Sequence, residues 1–372
     1  MKIGIVTLYS INIGNKLQNY AVEQICKKFG HECYTFSISK ENICAPALGW
    51  KGKLVAYVGF PQNIALLKRN ALKNSMKYTV KFNMFSANFL HVINVYSYEL
   101  LNNLSSEFDA FIVGSDQVWH NYNKNEIDYY FLKFAPEYKR ICLSPSFGLN
   151  DIPDKFRNSY ISGLQGFKYL SAREESGCKI IKALTDRNSE LLIDPTLMLD
   201  SQEWDMIAGK PNKMDIPSQY ILTYFLGKKD EEAYQFIKKL SNDTGLPVIE
   251  IDNNSYTVPF TAPDEFLYLI RGASYFCTNS FHGCAFSIIY HVNFYVFKRF
   301  EYGGMRSRID TLLKKFDLES RNCFDKNYNE ISLKPCDFNN ADLVLKAERK
   351  KVIDYLQKAF DYSNMFYPKE NK

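Results

Sequence analysis

The run Cys277-Thr278-Asn279-Ser280-Phe281-His282-Gly283 reads as an apolar strand end, a capping turn and an imidazole in the first turn of a helix. Asn and Ser are strong N-caps. The free N–H groups and the dipole of such a turn attract anions, and a His beside them can pass protons near neutral pH. A plain cap with an ordinary His fits the same pattern. Cations follow it: Lys298 and Arg299 close the next apolar run, and Arg306 and Arg308 open a helical pattern after Gly303-Gly304. Arg173 ends another apolar run, Tyr169-Leu170-Ser171-Ala172. Guanidinium forks match carboxylate and phosphate oxygens, although each of these cations also reads as a solvated side chain. Two polar turns complete the set. In Asn12-Ile13-Gly14-Asn15-Lys16-Leu17-Gln18, residues Asn12, Asn15 and Gln18 suit sugar hydroxyls or a helix cap. In Gly114-Ser115-Asp116-Gln117, Asp116 can take a proton from a hydroxyl or cap the next turn, with Gln117 beside it.

Several chemistries are excluded by what is missing. There is no G-x-G-x-x-G or G-x-x-x-x-G-K-[ST] for a dinucleotide or ATP, no G-x-S-x-G elbow and no H-E-x-x-H. No cofactor or metal is therefore expected. The nine cysteines are odd in number and contain no C-x-x-C pair, against a disulfide framework or zinc site and for a reducing, cytoplasmic compartment. Lysine and arginine exceed aspartate and glutamate by 46 − 41 = 5, too little to call for nucleic acid. The 28 Phe and 26 Tyr must largely fill a core, and a surplus of Tyr also suits sugar stacking or a membrane interface. No apolar run approaches the ~18 residues of a spanning helix, and the apolar start, Ile3 to Leu8, is too short for a signal peptide core.

The elements that must hold these residues alternate strand and helix. Ile3 to Leu8, a polar turn, a helical pattern from Leu17 to Phe29 and a run from Tyr34 to Ile38 form a βαβ opening, which implies a parallel sheet. The apolar runs ending at Val113, Leu143, Ala172 and Ile193 carry their polar residues at the carboxyl end, the edge where open α/β sheets bind ligands. A second series of such units follows from Tyr220. At ~150 residues per domain, 372 residues predict two domains. The expected division is 1–205, 206–340 and a C-terminal helix and tail over 341–372, with a cleft between the two α/β domains. Residues 46–106, basic and aromatic, read as a helical insertion that packs on the domain or lies against a membrane surface.

The order and spacing of Gly14-Asn15-Lys16-Leu17-Gln18-Asn19-Tyr20, Gly114-Ser115-Asp116-Gln117-Val118-Trp119, Ser171-Ala172-Arg173-Glu174, Asp194-Pro195-Thr196 and Ser280-Phe281-His282-Gly283 resemble the polysaccharide pyruvyl transferases, from the first strand to about residue 315. The resemblance implies two Rossmann-like domains facing across a cleft, as in the glycosyltransferase-B fold. It implies transfer of the enolpyruvyl group of phosphoenolpyruvate, a co-substrate, to a sugar as a ketal, with loss of phosphate. His282 would act in catalysis with Asp116. Arg173, Asn279, Ser280, Lys298, Arg299, Arg306 and Arg308 would hold the donor, and Asn12, Asn15, Gln18 and Gln117 the acceptor. The acceptor would be lipid-linked or an oligosaccharide, met at the inner face of the membrane. Some relatives carry Arg two places before the His, where this chain has Ser280. Two other readings stand beside this one. A nucleotide-sugar glycosyltransferase of the same fold would use Asp264 or Glu265 for the ribose, and a glycan-binding scaffold would need no chemistry from His282.

Overall fold

The computed structural model describes residues 1–38, 69–120, 124–212, 214–251, 260–299 and 306–366. It begins with β1 (Lys2–Val6), α1 (Ile13–Lys28) and β2 (Glu32–Ile38). The chain continues through α2 (Arg69–Phe89), β3 (Val92–Val95), α3 (Tyr98–Glu107), β4 (Ala110–Val113), α4 (Lys124–Tyr130) and β5 (Arg140–Cys142). These five strands form one all-parallel sheet in the order β3-β2-β1-β4-β5. A strand covered on both faces must be apolar throughout. β4, Ala-Phe-Ile-Val, meets that rule, and all four of its residues are buried. Gly4 has a packing reason to lack a side chain: a Cβ there would meet the Phe111 ring at 2.6 Å.

Helix α5 (Asp154–Gln165), β6 (Ser171–Ala172), α6 (Glu175–Thr185), β7 (Glu190–Leu191) and α7 (Ser201–Asp205) follow, with β6 and β7 paired in parallel. The second large sheet is built from β8 (Ile221–Tyr224), α8 (Glu231–Thr244), β9 (Val248–Ile251), α9 (Pro263–Gly272), β10 (Tyr275–Thr278), α10 (Phe281–Ile289) and β11 (Asn293–Val296). Its order is β11-β10-β8-β9, again all parallel. Helix α11 (Arg306–Lys315) and the long α12 (Asn339–Met365) end the described chain. Two Rossmann-like parallel sheets in series are thus observed, as expected.

Helix α12 returns to the first half. Tyr355 donates to the carbonyls of Cys142 (2.7 Å) and Tyr169 (3.2 Å), and Arg349 donates to those of Leu197 and Leu199, both at 2.8 Å. One apolar cluster joins α1, α9, α10 and α12. Trp204 sits within it, 5.5 Å from Tyr20 and 4.9 Å from Phe286 between ring centroids. Burying an aromatic of this size stabilises by about 2–3 kcal/mol, so the two halves share a core.

Some expectations change in detail. Of the stretch 46–106, residues 46–68 lie outside the described ones; the remainder supplies two helices, α2 and α3, with edge strand β3 between them. Val92-Ile93-Asn94-Val95 is a short β-branched run that the surrounding helical pattern hides, and it pairs with Thr35 to Ile38. The apolar run ending at Ile193 is strand only over Glu190–Leu191, and Asp194 caps a 3₁₀ turn over Pro195–Met198 soon after it. The segment leading to the expected boundary at 205 contains α7, started by a capping box in which Asp200 and Glu203 each accept the other's backbone N–H. The eight described cysteines are unpaired, and Cys44 lies outside the described residues. No helix among the described residues is long and apolar enough to cross a membrane.

Candidate active site

Ligands bind open α/β sheets outside the strand carboxyl ends, where the strand order reverses. In the first sheet that point lies between β1 and β4, so the turns after Val6 and Val113 flank it. In the second it lies between β8 and β10, flanked by the turns after Tyr224 and Thr278. All four turns meet at one cleft of about 240 Å³, lined among others by Asn12, Gly14, Asn15, Asp116, Gln117, Tyr224, Asn279, Ser280, His282, Arg299 and Arg308.

On the first-sheet side, Asn12 caps α1 by accepting the Asn15 N–H at 3.1 Å. Asn15 in turn donates through its amide to Asp116 Oδ2. Asp116 is held in the left-handed region, φ 65°, and its Oδ1 accepts the Gln117 N–H at 2.8 Å. Gly114 before it has φ 107°, and a Cβ there would meet the Leu143 carbonyl oxygen at 2.4 Å, so only glycine fits this turn.

On the second-sheet side, Ser280 caps α10 by accepting the Gly283 N–H at 3.3 Å. Asn279 clamps the turn after β8, accepting the Leu226 N–H and donating to the Leu226 carbonyl. His282 then stands at the second position of α10, in the cleft and 8% exposed. Its ring faces Gly14 so closely that a Cβ there would lie 2.1 Å from Nδ1. His282 Nε2 is buried without a hydrogen bond and lies 3.9 Å from Asp194 Oδ2.

A buried charge network underlies the cleft. Arg173 donates from Nη1 to Asp194 Oδ2 at 2.5 Å and from Nη2 to Asp116 Oδ1 at 3.4 Å. Arg308 Nη1 is 3.9 Å from Asp116 Oδ1, while its buried Nε has no hydrogen bond. Burial pushes the Asp194 carboxyl up, but the Arg173 guanidinium, His282 and the Thr196 N–H outweigh it and hold the group below the usual range. Burial also pushes the His282 imidazole down, with Asp194 and Asp116 pulling the other way and Arg173 and Arg308 adding to the fall. Arg308 is lowered to about 10 by burial and by the neighbouring Arg173. Buried N–H groups are nearly always bonded. Arg308 Nε, a buried cationic donor without a hydrogen bond at this cleft, is the kind of group that an anion satisfies, whereas the unbonded His282 Nε2 is turned toward Asp194.

Nine of the thirteen residues picked from sequence line this cleft: Asn12, Asn15, Asp116, Gln117, Asn279, Ser280, His282, Arg299 and Arg308. The other four are placed differently. Gln18 is fully buried and accepts the Thr7 hydroxyl at 2.8 Å, so it braces the turn from below. Arg173 is buried and pairs with Asp116 and Asp194, so its guanidinium is engaged by two carboxylates and is not among the residues lining the cleft. Lys298 and Arg306 are exposed and both pair with Asp325, away from the cleft lining. Sequence reasoning missed Asp194 and Gly14. The Asp194-Pro195-Thr196 turn carried a signal, an Asx cap before Pro, but it reads equally as a strand end. Gly14 shows its reason only once His282 lies against it.

Of the five histidines, His282 alone lines the cleft. His291 pairs with Asp342 at 2.9 Å and stacks on Phe338, and His91 pairs with the buried Glu23 at 3.0 Å. Two larger grooves, about 770 and 570 Å³, run along α12. Their Arg271, Arg349 and Lys351 are engaged by Asp205, by backbone carbonyls and by Glu190. Of the two acids that could serve a ribose, Asp264 and Glu265, neither lines the cleft, and Glu265 accepts from Lys81 of α2 at 2.6 Å and from the Ala262 N–H at 2.8 Å.

The polysaccharide pyruvyl transferase family model matches residues 12–299. The comparison with curated proteins gives no match. Among solved structures, the UDP-GlcNAc 2-epimerase from Methanocaldococcus jannaschii is 10% identical at a TM-score of 0.46, covering 95% of this chain and 92% of that one. The UDP-N-acetylglucosamine 2-epimerase from Rickettsia bellii is 10% identical at 0.45, covering 98% of each chain. A glycosyltransferase from Rickettsia africae ESF-5 is 12% identical at 0.45, covering 99% of each.

Proposed function

We propose that this chain, which belongs to the polysaccharide pyruvyl transferase family, transfers the enolpyruvyl group of phosphoenolpyruvate to a sugar of a surface-polysaccharide precursor as a ketal. The observation that carries this reading is the pairing, across one cleft, of an unbonded cationic donor, Arg308 Nε, from the second half with a polar edge of Asn12, Asn15 and Gln117 from the first. Phosphoenolpyruvate carries a carboxylate and a phosphate. Arg308, Arg299 and the N-terminus of α10 supply charge and N–H groups for both. Arg308 supplies a guanidinium at a cleft where this chain has Ser280 in place of the Arg that some relatives carry.

His282 is the acid. It protonates the methylene carbon, and positive character develops at C2. A sugar hydroxyl on the Asn12, Asn15 and Gln117 side attacks C2 and gives its proton to Asp116. Phosphate then leaves with its bonding electrons, taking up a proton, and a second hydroxyl of the same sugar closes the ketal and loses its own proton. Two hydroxyl protons thus balance one gained by carbon and one by phosphate. A positioned acid contributes ~100- to 10,000-fold, and holding both hydroxyls in line adds as much or more. No cofactor beyond the co-substrate is needed. The acceptor, lipid-linked or an oligosaccharide, is met on the cytoplasmic side of the membrane.

Neither Asp264 nor Glu265 is among the residues lining the cleft, and Glu265 is engaged by Lys81 and by its own helix start, which disfavours the nucleotide-sugar reading that would use one of them for a ribose. The test is phosphate release from phosphoenolpyruvate in a panel of glycan acceptors, with the acceptor's mass read alongside. The reading predicts release that depends on acceptor and a mass gain of one pyruvate less one water. Sugar transfer from a nucleotide donor at the same cleft, without phosphate release, would overturn it.

A further inference from the structure

His282 has two distinct ring edges. One nitrogen, Nε2, is buried, makes no hydrogen bond and points toward Asp194 Oδ2 at 3.9 Å. The other, Nδ1, faces the gap left by the missing side chain of Gly14, and both residues line the cleft. Asp194 is fixed from several sides. Its Oδ1 accepts the Thr196 N–H at 3.0 Å and the Thr196 hydroxyl at 2.8 Å. Its Oδ2 accepts Arg173 Nη1 at 2.5 Å and the Ser115 hydroxyl at 3.1 Å. Such a carboxylate cannot swing toward a ligand, but it presents Oδ2 to the imidazole. A separation of 3.9 Å is longer than a hydrogen bond, and catalytic contacts of this kind commonly tighten when the site is filled.

We infer that Asp194 is a positioning residue: it holds the proton of neutral His282 on Nε2 and leaves Nδ1, over Gly14, as the nitrogen that faces a ligand. The ring nitrogen that stays protonated is set by the partner of that nitrogen, and a carboxylate is the strongest such partner. This deepens the pyruvyl-transfer reading and rests on it only for the proton's destination. In that reaction the imidazolium gives its Nδ1 proton to the methylene carbon. The N–H bond breaks, a C–H bond forms, and the remaining proton stays on Nε2 beside Asp194. Asp116, Arg173 and Arg308 also act on the ring, and Arg299 acts on Arg308. The net effect of Asp194 must therefore be read by changing it alone.

The experiment is ¹⁵N NMR of full-length protein labelled at its five histidines, with the His282 signals identified by their loss in His282→Gln. No substrate is added, so failure of the pyruvyl-transfer reading and failure of this inference are separable. Wild-type protein is expected to carry the neutral-form proton on Nε2. Asp194→Asn is expected to lower the titration midpoint of His282, because a nearby negative charge is removed while Arg173 and Arg308 remain. A neutral form protonated on Nδ1 in the wild type would overturn the inference, as would an unchanged or raised midpoint in Asp194→Asn. If Asp194→Asn does not fold, the wild-type tautomer alone decides.

Discussion

Replacing Arg308 with Met separates a binding role from a structural one. The guanidinium is buried, its Nε makes no hydrogen bond, and its nearest carboxylate, Asp116, is 3.9 Å away. Burial and Arg173 lower it to about 10, a fall worth about 3 kcal/mol against the charged form and an upper bound on what its removal releases. Met fills similar apolar volume with no charge, and replacing buried charge by packed apolar groups is often neutral or stabilising by ~1–4 kcal/mol. Arg308→Met should therefore unfold at the same temperature as wild type or a few degrees higher. The same change removes a charge-assisted donor to a bound anion, worth ~1.5–3 kcal/mol, so phosphoenolpyruvate should bind roughly 10- to 150-fold more weakly. Scanning calorimetry reads the first quantity and titration calorimetry the second. A variant that unfolds well below wild type yet binds phosphoenolpyruvate equally would refute the reasoning, because Arg308 would then be holding the fold together.

Other expectations follow from the same geometry. Gly14→Ala puts a Cβ 2.1 Å from His282 Nδ1, so the imidazole must move; turnover should fall by about 100-fold or more with little loss of donor affinity, checked by kcat against calorimetric Kd. His282 in the free protein is lowered below its usual 6.5 by burial, so kcat/KM for phosphoenolpyruvate should fall as pH rises through a midpoint under that value, while kcat, measured with the anion bound, falls at higher pH. Paired pH–rate profiles check the order of the two midpoints. Lys16 is buried against the Tyr9 ring and lowered to about 7 by burial. The unfolded chain binds its proton more tightly, so this term costs most below pH 7 and fades as pH rises toward the unfolded value; Lys16→Met should raise the melting temperature at pH 7 and progressively less at higher pH, by calorimetry.

The strand–turn–helix units and both switch-point edges were legible because their signals are local. Asn12, Asp116, Asn279, Ser280 and His282 follow apolar runs at the carboxyl end, and a cap before a helix needs no tertiary context. Strand β3 was not legible: four residues between two helices carry too short a pattern, and only its pairing with β2 defines it. The cations divided for a similar reason. Arg308 and Arg306 lie two apart on α11, so they point to different faces: one is buried at Asp116 and the other is exposed at Asp325. No local pattern says which face meets the cleft. Arg173 ends a strand as expected, but its role as a clamp on Asp194 and Asp116 depends on three turns far apart in sequence.

The central claim is that the cleft at His282 and Arg308 binds phosphoenolpyruvate as donor. It is tested most directly by thermal unfolding of the purified chain in millimolar phosphoenolpyruvate and, separately, in a set of nucleotide sugars. A ligand at ~100 times its Kd adds about 2.7 kcal/mol and raises the midpoint by a few degrees. The account predicts that rise with phosphoenolpyruvate in the wild type, its loss in Arg308→Met, and no rise with nucleotide sugars. A rise with a nucleotide sugar and none with phosphoenolpyruvate would contradict it.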